Sequence, residues 1–291
     1  MLKSMTGFGR AERNVGDKTF LIDIKSLNGK QFECSLKMPA FLKPFEFDIR
    51  KRLSEKLQRG TIDCMISLKN TGTAKPVTVN ISLAKAYFEP IAALSRELGL
   101  DDSHILGNIL KLPEVITPTS DTLTDEEWKA FKAVVDEAAD DLNVHRLEEG
   151  KVLEADLLQR ISNIEKHQTT IEEKEPLRQQ KIREGLIKAL EENVGPESYD
   201  KNRLEQEIIY YIEKIDISEE QVRLRNHCDY FRVLLQENSN EVGKKLSFLL
   251  QEIGREINTT GAKAYDAVIQ QSVVAMKDEL EKAKEQVLNV L

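Results

Sequence analysis

The apolar residues of this chain change their spacing once, and that change limits what it can fold into. Through the first 70 residues they alternate, in "SMTGFGRAER", "KTFLIDIKSL" and "KQFECSLKMP", which is the two-residue period of half-buried strands. "NVGD" reads as the turn between the first two runs, and Pro39 closes the third. "LKPFEFDIRKRLSEKLQRG" shifts to helical spacing and stops at Gly60. "TIDCMISLKN" then returns to strand, and "VTVNISL" reads as one more. From residue 82 onward the apolar positions recur every third or fourth residue. A small strand-rich α/β unit followed by a long-helix, mostly α region is an α+β architecture.

The helical part divides at its breakers. "LAKAYFEPIAALSREL" is one helix with a kink expected at Pro90, and "LGNILKLPEVITP" is short and loop-like. "LTDEEWKAFKAVVDEAADDL" opens on a Thr-Asp-Glu-Glu start signal. Long amphipathic segments follow over 145–193, interrupted near "KEPLRQ", and "NVGPESYDKN" is a break. Helices over 201–214, 218–237 and 243–260 and a tail helix complete the chain. Ser218 with Gln221 forms a capping box, and Gly243 opens the next helix. The expected organisation is an N-terminal sheet unit (1–81), a helical middle (82–200) and a C-terminal helical region (201–291).

Composition removes some classes. No run of about 18 apolar residues exists, so no membrane span is expected. The opening "MLKSMTGFGR" lacks a signal-peptide core. Cys34, Cys64 and Cys228 are scattered and odd in number, without metal-type spacing, as in a reducing cytoplasm. Net charge is −8, which argues against simple electrostatic capture of nucleic acid. Its distribution is uneven. Residues 1–70 carry 14 Lys+Arg and 8 Asp+Glu, a net of +6, so the rest carries −8 − 6 = −14. The asymmetry serves either solubility alone or a basic front that meets polyanions.

The densest polar pattern lies in "GKKLSFLLQEIGREINTTGAKA", residues 243–264. On a helical wheel Leu246, Leu249, Leu250, Ile253 and Ile257 form one stripe. Glu252, Arg255, Glu256, Thr259 and Lys263 form a second stripe beside it, where a cleft between helices would be lined. The preceding helix places Glu220, Arg223 and His227 on one side, with Asp216 just before its start. Two facing helices would gather Asp216, Glu220, His227, Glu252 and Glu256, ringed by Arg223, Arg255 and Lys263. Carboxylates with a histidine suit magnesium or manganese, and the cations suit a phosphoryl group. On pattern alone the plainer reading of the same residues is surface or interhelical ion pairs that hold an oligomer together.

"NRLEQE" at 202–207, "ID-x-x-EE-x-x-RL-x-x-H" at 215–227, "GKKL-x-F-L-x-QE-x-x-RE-x-NT" at 243–259 and "AK" at 262–263 resemble the C-terminal signature of the YicC/YloC family of bacterial endoribonucleases. "SMTGFGRAE" at 4–12, "KSLN" at 25–28, "RG" at 59–60 and "R-x-x-EG" at 146–150 are similar to its other motifs. Three positions depart: Ser247 stands where Asp is usual, Gly254 where Asn is frequent, and "NGKQF" at 28–32 replaces a loop with an amide or ring beside its cation. Ser247 takes a carboxylate away, so that position cannot be an essential ligand.

The resemblance implies a cytoplasmic enzyme that cuts single-stranded RNA, a divalent metal and a homo-oligomer, a hexamer that encloses the RNA. In that reading Glu252 and Glu256, with Asp216 or Glu220, bind the metal. His227 is a ligand or the general acid–base, and Arg223 and Arg255 hold the scissile phosphate. Arg10, Lys25, Lys30, Arg50, Arg52 and Arg59 guide the RNA backbone, and Phe8 or Phe32 stacks on a base or belongs to the core. A metal-free route would use the RNA 2′-hydroxyl with His227 and Lys263. The alternative is a non-catalytic RNA-binding adaptor that presents RNA to another nuclease.

Overall fold

Strands β1 (Gly7–Val15), β2 (Lys18–Leu27), β3 (Phe32–Lys37) and β4 (Gly60–Asn70) form one sheet in the order β1-β2-β4-β3. The computed structural model describes residues 2–15, 18–29, 31–70, 77–99, 104–118, 123–195, 200–237 and 241–291. β1 and β2 pair antiparallel, as do β2 and β4, whereas β3 runs parallel to β4. Parallel neighbours need a crossover, supplied here by a 3₁₀ turn (Ala40–Phe45) and helix α1 (Glu46–Leu57). One face of the sheet buries Phe20, Ile22, Ile24, Ile62 and Cys64 against Leu53 and Leu57 of α1. The alternate residues, among them Arg10, Asp23, Lys25, Asp63 and Met65, fall on the other, open face.

A small unit follows: β5 (Val77–Val79), α2 (Ile81–Glu97), α3 (Ile105–Ile109) and β6 (Ile116–Pro118), around Ala92, Ile105, Ile109 and Val115. Then α4 (Asp125–Val194) runs for 70 residues, ~105 Å at 1.5 Å per residue. Thr124 and Glu127 cap it reciprocally, as the start signal predicts. Phe131, Val135 and Leu142 of α4 complete the sheet core, while Leu157, Ile161, Ile164 and Ile171 enter a second core. That second core is built with α6 (Ser218–Leu235), α7 (Val242–Lys263) and α8 (Ala267–Val287), and α5 (Lys201–Ile215) lies beside α4.

Three buried residues on the apolar stripe of α4 are polar, Arg146, Gln168 and Arg178, and each joins parts of the fold. Arg146 is fully buried. It donates to Leu57 O (3.1 Å), Met5 O (3.4 Å), Arg59 O (3.0 Å) and Ser26 Oγ (2.6 Å). The N-terminal segment and the C-terminus meet there: Met5 N donates to Asn289 O and Leu291 N to Lys3 O. A Cβ on Gly9 would stand 2.2 Å from Ala138 O, and one on Gly150 2.1 Å from Leu2 O. These contacts give "SMTGFG", "KSLN", "RG" and "R-x-x-EG" a shared physical meaning: they are the joint between sheet, long helix and tail. The second polar residue, Gln168, donates to Gln221 O at 2.7 Å and so fixes the start of α6.

The structure changes several local expectations. The interruption near "KEPLRQ" is absent, since α4 passes through Pro176; Arg178 on the next turn donates to Ile215 O and ties the helix to α5 there. α2, by contrast, is one helix with Pro90 inside it, as its spacing predicts. In "VTVNISL" only Val77–Val79 is strand, because Asn80 caps α2 by accepting from Leu83 N. "LGNILKLPEVITP" holds α3 and β6. Gly243 is the second residue of α7, pressed against Val290, rather than its opener. The Ser218–Gln221 capping box does not form; Asp216 Oδ1 accepts from Ser218 N and Oγ instead. Gly16 and Asp17 of the "NVGD" turn lie outside the described residues.

Candidate functional site

α6 and α7 pack along their apolar stripes, with Leu224, Cys228 and Phe231 beside Leu246, Leu250, Ile253 and Ile257. The predicted polar stripe of α7 therefore lands at the edge of this contact. Glu256 is buried, Glu252, Thr259 and Lys263 are half-buried, and Arg255 is exposed. From α6, Glu220 is buried, His227 half-buried and Arg223 exposed.

Glu256 is the electrostatic centre of the group. Burial pushes its carboxyl above the ordinary carboxylate range; the charges of Arg223 and His227 pull it down, and those of Glu220 and Glu252 push it further up. Glu220 receives Lys263 Nζ on Oε1 at 2.9 Å, and its Oε2 is buried without a hydrogen bond. Arg255 Nη1 stands 2.8 Å from Glu252 Oε1, yet off the line of a hydrogen bond, so that oxygen too has no hydrogen-bond partner. Arg223 pairs with Glu219. Gln221 Nε2 donates to Thr260 Oγ1 at 3.3 Å beneath the cluster.

The structure thus brings Glu220, Arg223, His227, Glu252 and Glu256 together, with Arg255 at the rim. Asp216 departs from the group, because its Oδ1 serves the start of α6. Lys263 is tied to Glu220 and to Asp216 O (2.9 Å). Among the described residues no three His, Cys, Asp or Glu side chains converge closely enough to enclose an ion. The donor chemistry nevertheless suits a hard cation: hard carboxylate oxygens, two of them buried and without hydrogen bonds. Magnesium is commonly held by one or two carboxylates when substrate phosphate completes its shell. A Cβ on Gly254, where the resemblance has Asn, would stand only 3.1 Å from Leu280 Cδ2, so a larger side chain would push into α8. The thiols stay out of this chemistry, since burial pushes Cys64 and Cys228 up to about 12.

The predicted RNA-guiding cations have different fates. Lys25 and Arg10 share the open sheet face with Phe8, which pairs with Lys25 in register. Lys25 is exposed, and Arg10 stands 3.6 Å from Asp23. Arg59 donates to Gly29 O at 3.1 Å. Arg50 is held by Cys34 O and Glu46, and Arg52 forks onto Asp136 at 2.6 and 2.5 Å. Lys30 lies outside the described residues. Arg146 and Gln168 escaped the sequence reading as structural organisers. Both stand on the apolar stripe of α4, and a polar residue on such a stripe is a signal that it serves a buried contact.

Comparison with known proteins agrees along the whole chain. Residues 2–155 match the family described as endoribonuclease YicC-like, N-terminal region, and residues 171–291 match endoribonuclease YicC-like, C-terminal. The chain is 31% identical over 295 residues to a protein of Clostridioides difficile named probable endoribonuclease YicC, covering 100% of both. It is 28% identical over 296 residues to a protein of the same name from Haemophilus influenzae, again with 100% of both covered. This chain belongs to the YicC-like endoribonuclease family.

Proposed function

We propose that this chain is an endoribonuclease that cuts single-stranded RNA internally, with the α6–α7 carboxylate cluster as its reaction centre. The observation that carries the reading is the gathering of Glu220, Glu252, Arg223 and His227 around the Glu256 carboxyl. Relatives matched over their full length are named probable endoribonucleases, which supports the same reading.

Arg223 and Arg255, exposed at the rim, hold the scissile phosphate through their planar donor forks. His227, half-buried at the edge of the cluster, moves the proton. Glu252 and Glu256 would hold a magnesium or manganese ion, with substrate phosphate filling the rest of its shell; the ion's chemistry is to neutralise a phosphate oxygen and acidify a water. Lys263 positions Glu220 rather than touching substrate. Lys25, Arg10 and Arg59 guide the backbone toward this centre. The reading includes a cytoplasmic homo-oligomer, a hexamer by family resemblance, for which exposed Ile209, Tyr210 and Tyr211 of α5 offer apolar contact surface.

The test is cleavage of an end-labelled single-stranded RNA in magnesium, manganese or EDTA, beside Glu252→Gln. Internal cuts that leave 3′-hydroxyl ends, need metal and vanish in the variant are expected. Cuts that persist in EDTA and leave 2′,3′-cyclic phosphates would transfer the chemistry to the 2′-hydroxyl and His227. RNA bound but uncut in every metal would make the chain an adaptor.

A further inference from the structure

Apart from the carboxylate cluster, the described residues form a groove of roughly 620 Å³ between the free edge of β3 and helix α1. Its α1 wall comes from Phe47, Lys51, Ser54 and Glu55, which the helical repeat puts on one face, and Phe32 of β3 lies opposite. Phe47 is 75% exposed. Most of this ring faces solvent, an expensive way to hold a phenyl group unless something else stacks on it. Lys51 and Glu55 are also exposed, and neither makes a hydrogen bond or ion pair among the described residues, although they stand one turn apart. The groove thus offers an aromatic face, the uncommitted ammonium of Lys51 and the uncommitted carboxylate of Glu55, with Glu33 as a second carboxylate on the β3 side and Arg50 already engaged by Cys34 O and Glu46.

We propose that this groove is a nucleotide subsite for the RNA, one that takes an unpaired, amino-bearing base against Phe47; the proposal rests on the endoribonuclease reading above. A ring beside a cation is the pairing by which single-stranded RNA is held: the base stacks and the phosphate meets the charge. Lys51 is that cation. Glu55 accepts hydrogen bonds only, so it selects bases that present N–H donors. Guanine offers two adjacent donors on its pairing edge, while uracil offers one donor flanked by carbonyl oxygens that a carboxylate repels. An extended peptide is the other ligand that fits a groove between a strand edge and a helix. It would need the outward backbone groups of β3, and Arg50 already occupies the Cys34 carbonyl there. Arg59, one of the guiding cations, donates to Gly29 O, three residues before Phe32 in the chain.

The experiment uses the full chain, a short all-uridine oligonucleotide, and the same oligonucleotide with one guanosine. Phe47 and Glu55 are exposed, so Phe47→Ala and Glu55→Gln keep the fold. Phe47→Ala should weaken binding of the guanosine-containing RNA about tenfold and raise KM by the same factor with kcat unchanged. Glu55→Gln should abolish the preference for guanosine over uridine while leaving all-uridine binding intact. Phe47→Ala with wild-type affinity and KM would overturn the subsite, leave the endoribonuclease reading standing, and assign the groove to a peptide. Wild-type protein that binds neither RNA would overturn the endoribonuclease reading and the subsite with it.

Discussion

Lys263 Nζ stands 2.9 Å from Glu220 Oε1, which joins the last turn of α7 to the first turn of α6. Glu220 is 5% exposed and its other oxygen has no partner, so this ammonium is what makes the buried carboxylate tolerable. Lys263→Met should cost about 1–2 kcal/mol in urea unfolding, the lower range because the ammonium is partly solvated. Adding Glu220→Gln should recover part of that loss, since the orphaned charge disappears. A double variant no more stable than Lys263→Met would show that packing, not the ion pair, joins the helices.

Glu256 makes stability depend on pH in a defined direction. Burial raises its folded value above the ordinary 4.5 of the unfolded chain. At low pH both states are protonated and the group contributes nothing. As pH rises through 4.5 the unfolded chain releases its proton first, and stability falls until the folded group has ionised too. Glu256→Gln removes this penalty. Its Tm should exceed that of the wild type at neutral pH, and the gap should close as pH falls to about 4. Cleavage should drop about a hundredfold or more in the same variant. A lower Tm at neutral pH would mean that Arg223 and His227 outweigh burial.

Much of this was legible in the sequence wherever one residue's neighbours lie within a turn or two. The apolar stripe of α7, Leu246 to Ile257, is buried as its spacing predicts, and the polar stripe lies beside it. What spacing hides is competition for a side chain. Asp216 reads as a ligand from its place before α6, yet two donors of Ser218, two residues on, claim its oxygen. Arg52 reads as a phosphate binder, but its partner Asp136 lies 84 residues away, on a helix whose position depends on the whole sheet. The length of α4 was hidden for a related reason. Pro176 looks like a stop locally, while tertiary contacts such as Arg178 to Ile215 O hold the helix on both sides of it.

Arg146 carries the joint between the sheet and the helices. Burial lowers its guanidinium to about 10, so it stays charged at neutral pH while surrounded by carbonyls and a hydroxyl. Arg146→Met would leave those four acceptors in a dry interior, for an expected loss of about 3–5 kcal/mol. Arg146→Lys should not rescue it, because a single ammonium cannot span acceptors on three segments. Amide exchange at Ser4, Met5 and Leu291, whose N–H groups pair across this joint, should quicken in both variants. A loss below about 1 kcal/mol would place the joint elsewhere.

Lys25 and Arg52 separate guidance of RNA from support of the fold. Lys25 is exposed on the open sheet face without an ion-pair partner among the described residues, so a phosphate meets an uncommitted charge there. Lys25→Gln should weaken RNA binding and reduce the slope of log affinity against log salt by about 0.7, the share of one phosphate contact on a single strand. Arg52 spends both of its forked donors on Asp136, between α1 and α4. Arg52→Gln should leave the salt slope unchanged and instead lower unfolding stability by about 1 kcal/mol, typical of a well-aligned pair that remains partly solvated. Salt titrations of binding and urea curves on the two variants distinguish these roles. Should Arg52→Gln reduce the slope and keep its stability, Asp136 must release the guanidinium when RNA arrives, and the basic guide then extends across α1.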